Sequence, residues 1–172
     1  MFDSCSEERQ KQMALGLTIK EITGDAEYYK VYADMYMKYI ADLKSKDIRV
    51  DDFDIAYFYQ YFQMKNCRHY FLCFNDKPIG FIAVVQGTKN RYYIAETYVD
   101  EAYRNNGYGG WMAKQIRDRY EGVATLDVLC NNPRAEEFWR RIYIDYDEEC
   151  EIDDERFVFQ KKYKKGGTKE CI

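Results

Sequence analysis

The sequence has a single histidine, His69, and no two cysteines spaced C-x-x-C, so nothing in it suggests a zinc site and no metal is expected. Its six cysteines, Cys5, Cys67, Cys73, Cys130, Cys150 and Cys171, are scattered; they suggest no disulfide framework and read as reduced, packed thiols. No stretch approaches the roughly 20 apolar residues that span a bilayer. Met1 to Leu15 is too polar for the apolar part of a secretory signal, so a cytoplasmic protein with no membrane partner is expected. A basic excess is missing too. The net charge of −4 argues against a phosphate backbone, and so against nucleic acid, as partner. There is no internal repeat and no low-complexity linker.

What is present is enough for one core: 172 residues, 47% of them hydrophobic. The expected organisation is an N-terminal arm or short helix over 1–16, a single domain over 17–163 and a polar tail over 164–172. "LTIKEI" (Leu17 to Ile22) alternates as a strand. Tyr28, Tyr32, Met35, Tyr36 and Tyr39 then recur at helical spacing between Asp25 and Leu43. A second helix is expected from Asp52, as its cap, to Met64, with Phe53, Tyr57, Tyr61 and Met64 on one stripe. These tyrosine faces read as core, or as surfaces that close a pocket or meet a second subunit in a homodimer.

"HYFLCFN" and "PIGFIAVVQ", joined by a turn at Asp76-Lys77, and then "RYYIAETYVD" are β-rich. A helix follows from Trp111 to Tyr120, then the strand "ATLDVLC". Asn132 can cap a further helix with Pro133 at its first position, and two strands close the order β-α-α-β-β-β-α-β-α-β-β. This is mixed α/β with a largely antiparallel sheet. Eight acidic residues from Asp145 to Glu155, followed by Lys161, Lys162, Lys164 and Lys165, read either as a solvated hairpin or as an attractor of a cationic ligand.

The stretch "YRNNGYGG" (Tyr103 to Gly110) lies between a strand and a helix. Helix N-termini offer unpaired amides and favour anions, and glycines let an anion approach; a plain surface turn explains the same residues. The pattern is not the G-x-x-x-x-G-K-[ST] of nucleotide triphosphatases. R-x-x-G-x-G at Arg104 to Gly109 resembles the coenzyme A pyrophosphate loop of the GNAT superfamily, the acyl-CoA-dependent N-acetyltransferases. "LDVLCNNPRAEEFWRRIY" (Leu126 to Tyr143) resembles that family's second signature, and the element order matches from Leu17 to Tyr163.

The resemblance implies a sheet of six to seven strands, mixed and mostly antiparallel, flanked by about four helices, with acetyl-CoA as acyl donor. It further implies that Arg104, Asn105, Asn106, Gly107, Tyr108, Gly109 and Gly110 hold the pyrophosphate. A bulged strand at Tyr98 to Asp100 would pair with the pantetheine arm, the amide of Val99 would polarise the thioester, and Asn131 or Asn132 would contact the cofactor. Asn132 is equally accounted for as a cap. Glu96 is the candidate base, a charge inside a β-rich run, with a solvent-facing strand residue as the alternative.

Two features depart from the family: the usual glycine-aromatic ending of the last helix is replaced by Tyr143-Ile144, and a tyrosine of that helix is replaced by tryptophan. Trp139 stands where relatives carry a tyrosine that protonates the leaving thiolate, and an indole N–H is too weak an acid for that. Tyr143, one turn later, is the candidate substitute or else a core residue. The expected activity is acetyl transfer to a primary amine in a ternary complex, the acceptor a small cationic amine (polyamine, amino sugar or aminoglycoside). The alternatives are a lysine or N-terminal amine of a partner protein, and a noncatalytic acyl-CoA-binding protein.

Overall fold

The computed structural model describes residues 16–22, 26–88, 91–120, 123–129, 131–142, 148–151 and 157–164, the last two segments as backbone alone. The terminal arm and tail expected from the sequence, and nearly all of the acidic run, lie outside the described residues or side chains. Seven strands, β1 (Leu17–Glu21), β2 (Cys67–Phe74), β3 (Lys77–Gln86), β4 (Arg91–Val99), β5 (Val123–Leu129), β6 (Glu148–Glu151) and β7 (Phe157–Lys164), form one sheet in the order β1-β2-β3-β4-β5-β7-β6. Every neighbouring pair is antiparallel except β4 and β5. Four helices flank it: α1 (Ala26–Lys44), α2 (Ile55–Phe62), α3 (Tyr108–Arg119) and α4 (Pro133–Ile142).

β2 and β3 are almost continuously apolar because both faces of the sheet are covered. On one face Met112, Ala113 and Ile116 of α3 and Trp139 of α4 pack with Leu72, Ile82, Val84, Ile94 and Leu126. On the other, Tyr32 and Met35 of α1 and Phe58 of α2 pack with Phe71, Cys73, Phe81 and Tyr98. Each large apolar side chain so enclosed contributes about 1.5–3 kcal/mol. His69 is buried among these aromatics, its Nδ1 3.0 Å from the Tyr32 hydroxyl; burial pulls its pKa down to about 4. Among the described residues no helix is long and apolar enough to cross a membrane.

Three local expectations shift. The β2–β3 turn lies at Asn75-Asp76, one residue earlier than expected, with both φ angles positive (48° and 63°), the tight hairpin turn that Asn and Asp tolerate. α2 is capped by Asp54, whose Oδ1 accepts from the amides of Ala56 (2.8 Å) and Tyr57 (2.9 Å); Asp52 instead pairs with Lys44. The later start rotates the buried stripe onto Phe58, leaving Tyr57 70% exposed and Met64 44% exposed.

Candidate active site

β4 carries one residue more than its partner. Ala83 faces Glu96 and Val84 faces Ile94, so Ala95 is bulged out. Side chains alternate along a strand, and one inserted residue flips all that follow. Tyr92 and Ile94 therefore point to the α3–α4 face, while Tyr98 joins the α1–α2 face. Glu96 turns with Tyr98 and meets α1. Without the bulge its carboxylate would enter the apolar layer around Met112 and Ile116, at a cost of several kcal/mol.

The bulge thus lies three residues before the expected Tyr98 to Asp100. It falls where β4 loses its second neighbour, because the parallel ladder with β5 ends at Ile94 and Leu126. Beyond that point β4 and β5 diverge. The Asp100 amide donates to the Ile79 carbonyl (2.9 Å), which makes Gly80 and Val99 a pair without mutual hydrogen bonds. The amide and carbonyl of Val99 consequently point away from β3 into the split. Thr97, two residues earlier, turns its backbone the same way, and its Oγ1 is buried with no hydrogen-bond partner among the described residues.

A cavity of about 470 Å³ opens at the split between α1, α2 and the strands. Glu96 lines it half-buried, accepting a hydrogen bond from Tyr36 Oη at 3.1 Å and another from Tyr39. Burial raises the Glu96 pKa above the usual carboxylate value, and the two phenols work against that rise by stabilising the anion. Desolvation and the adjacent Glu96 push both phenols up, so they remain protonated donors. Asp127 of β5, which accepts from Tyr93 Oη at 3.1 Å, and Asp51, Asp52 and Asp54 before α2 also line this cavity, with no lysine or arginine among the described residues of its wall.

A second, larger groove of about 1230 Å³ runs from the split along the start of α3. Gly107 begins the helix in the left-handed region (φ 79°) with no side-chain cap, so the first amides of α3 stay open. Gly110 has a further reason to be glycine, because a Cβ there would sit 2.9 Å from Ile142 Cδ1. Asn105 (φ 64°) and Tyr108 line the groove, whereas Asn106 turns its amide back onto the carbonyls of Tyr103 (3.3 Å) and Arg104 (3.1 Å).

The Arg104 guanidinium forks onto Asp42 of α1 (3.2 and 3.1 Å) and its Nε donates to the Val99 carbonyl at 2.7 Å. Asp42 is desolvated there, yet hydrogen bonds from Arg104 and Lys46 hold its pKa below the usual value. Arg104 therefore ties the loop to α1 and to the end of β4. Asn132 lines both cavities and caps α4, its Oδ1 accepting from the Ala135 amide at 3.3 Å; Asn131 (φ 59°) is exposed and lines neither. Tyr143 lies outside the described residues. Trp139, 6% exposed, stands at the junction of the two cavities.

The Acetyltransferase (GNAT) family model matches residues 30–143. The chain belongs to the GNAT acetyltransferase family. Solved structures agree on the fold. An acetyltransferase from Thermus thermophilus superposes with a TM-score of 0.70 at 10% identity, over 87% of this chain and 97% of that one. The PaiA N-acetyltransferase of Thermoplasma acidophilum, solved with coenzyme A, gives 0.58 at 14% identity over 86% and 99%. An aminoglycoside acetyltransferase from an uncultured soil metagenomic sample, in complex with sisomicin, gives 0.61 at 13% identity over 78% and 92%. The comparison with curated proteins finds no match.

GNAT acetyltransferases use acetyl-CoA, and this chain's own features fit it: the outward backbone of Thr97 and Val99, the orphaned Thr97 hydroxyl and the uncapped start of α3 lie along one groove. Asp127 escaped the sequence reading of the site, and so did the hydrogen bonds of Tyr36 and Tyr39 to Glu96, although both tyrosines stood on a face that could close a pocket. The two tyrosines look like an ordinary helical stripe, and Asp127 like the polar position of a strand. The bulge, which the resemblance placed three residues later, brings Glu96 to them.

Proposed function

We propose that this protein transfers the acetyl group of acetyl-CoA to the primary amine of a small cationic acceptor, such as a polyamine, amino sugar or aminoglycoside, by direct attack in a ternary complex. The observation that carries this reading is Glu96: a carboxylate of raised pKa at the floor of a cavity that opens onto the split strand. An amine must be neutral to attack, and an ordinary lysine-like amine needs about 4 to 5 kcal/mol to lose its proton at pH 7. Glu96 would take that proton. The Val99 amide would donate to the thioester oxygen, and the open amides from Gly107 to Gly110 would hold the pyrophosphate. Arg104 would shape that loop through Asp42 more than grip the anion itself, and Asn132 would border the cofactor arm.

The acceptor class rests on charge. Asp51, Asp54, Glu96 and Asp127 surround the cavity among tyrosine rings, a wall that suits an ammonium ion. The structural likeness to an aminoglycoside acetyltransferase, at 13% identity, speaks only for the fold. A second reading, a noncatalytic acyl-CoA-binding protein, is favoured by one observation, the indole of Trp139 at the junction. Release of free thiol from acetyl-CoA across a panel of polyamines, aminoglycosides, amino sugars, neutral amines and lysine peptides separates these. Turnover confined to small polycations supports the proposal. Turnover only with peptides would move the acceptor to a protein, and binding without thiol release would establish the second reading.

A further inference from the structure

With Trp139 at the junction, the proton that the departing sulfur needs must come from another group. Among the described residues, the acceptor cavity and the donor groove share a border of six: Tyr39, Leu43, Thr97, Asn132, Ala135 and Trp139. A thioester attacked from the cavity side has to have its sulfur beside this border. Of the six, leucine and alanine have no proton to give, and the asparagine amide, the threonine hydroxyl and the indole are all too weakly acidic. Tyr39 offers the one phenol among these described residues. That phenol is also hydrogen-bonded to Glu96, and its ring is fixed by Phe81 (5.8 Å between centroids), Tyr98 (5.9 Å) and Tyr36 (5.7 Å).

We infer that Tyr39 is a catalytic residue that relays the acceptor's proton from Glu96 to the coenzyme A sulfur. The inference rests on the acetyl-transfer reading above. An acceptor that arrives as an ammonium first loses one proton through Glu96 to solvent, which leaves Glu96 ionised again. The neutral nitrogen then forms the N–C bond, and the C–S bond breaks as the tetrahedral adduct collapses. The nitrogen's remaining surplus proton goes to the Glu96 carboxylate, Glu96 passes it to Tyr39 Oη, and Tyr39 gives its own proton to the thiolate. Both side chains end as they began, and no other reactant is consumed. Because the phenol is reprotonated as it donates, its desolvated setting between Glu96, Tyr36 and Tyr98 does not require a free phenolate.

The test is made on the whole chain with Tyr39→Phe, which keeps the ring stacking, and with Tyr36→Phe, which also removes a donor to Glu96 but lies outside the groove. Coenzyme A with a free thiol is bound, and its thiolate absorbance is titrated with pH. The relay predicts that Tyr39→Phe raises the bound thiol's pKa by about one unit, as expected for losing a hydrogen bond to an anion. Tyr36→Phe leaves that titration where it was. In turnover, Tyr39→Phe lowers kcat about tenfold or more with an unchanged calorimetric Kd for acetyl-CoA. A thiol that titrates identically in wild type and Tyr39→Phe overturns the relay even where acetyl transfer persists. Failure of the wild type to bind coenzyme A at all overturns the acetyl-transfer reading instead, and the relay with it.

Discussion

Replacing Glu96 by glutamine removes the carboxylate and leaves an oxygen for Tyr36 and Tyr39, so the cavity keeps its shape while losing the proposed base. Deprotonating an amine of pKa about 10.4 at pH 7 costs about 4.6 kcal/mol. A positioned general base typically recovers a factor of about 10² to 10⁴. Glu96→Gln should therefore lower kcat/KM about 10²-fold, measured by thiol release, with the calorimetric Kd for acetyl-CoA unchanged. The pH profile gives an independent check. Burial sets the Glu96 pKa above that of an ordinary carboxylate, against the hydrogen bonds from Tyr39 and Tyr36, so wild-type activity falls as pH drops through that raised value. The variant should lack this acid limb. Stability should move the other way. A folded-state pKa above the unfolded one gives a favourable contribution that is complete below the ordinary carboxylate range and lost as pH rises. The ionised Glu96 therefore costs stability at pH 7, and Glu96→Gln should melt higher. An unchanged rate with the acid limb intact, or a lower melting temperature, would refute the reasoning.

Other consequences are as direct. His69 has its pKa depressed from 6.5 to about 4, so the unfolded chain binds a proton that the folded one refuses; its contribution is complete above the unfolded value and lost on acidification between the two, about 3 kcal/mol in all. Urea unfolding of wild type and His69→Phe across that range should show the variant flatter by this amount, and parallel curves would contradict it. The fork between Arg104 and Asp42 is part-buried, so Arg104→Lys should cost about 1–2 kcal/mol, since a single ammonium cannot bridge both carboxylate oxygens. A double-mutant cycle with Asp42→Asn should give a coupling of about 0.5–3 kcal/mol, and a coupling of zero would show that the fork carries no stability.

Much of the candidate site's local geometry was legible in the sequence, because its signals are local in the chain. The glycines of Gly107 to Gly110 and the cap at Asn132 depend on neighbouring residues, and the structure finds a left-handed helix start and a capping hydrogen bond there. What could not be read was register. Glu96 lies in an apolar-rich strand that gives no sign of a bulge at Ala95, since a bulge arises from pairing with β3 and from where β5 lets go. The face on which Glu96 stands, and so its meeting with Tyr36 and Tyr39, depends on those partners. Asp52 illustrates the same limit. It is as good a cap by type as Asp54, yet Asp54 is the residue whose carboxylate reaches the first amides of α2, while Asp52 pairs with Lys44. Arg104 heads a motif by its position, yet its guanidinium reaches α1, a contact across 62 residues that no local pattern announces.

The claim on which everything else stands is that the groove along α3 holds acetyl-CoA. Calorimetric titration of acetyl-CoA into the wild type and into Gly107→Trp tests it most directly, with a melting curve to show that the variant is folded. The account predicts saturable binding by the wild type and a loss of about tenfold or more in the variant, because an indole at Gly107 would fill the approach to the open amides. Equal binding by both proteins would put the donor elsewhere, and no binding by a folded wild type would contradict the account.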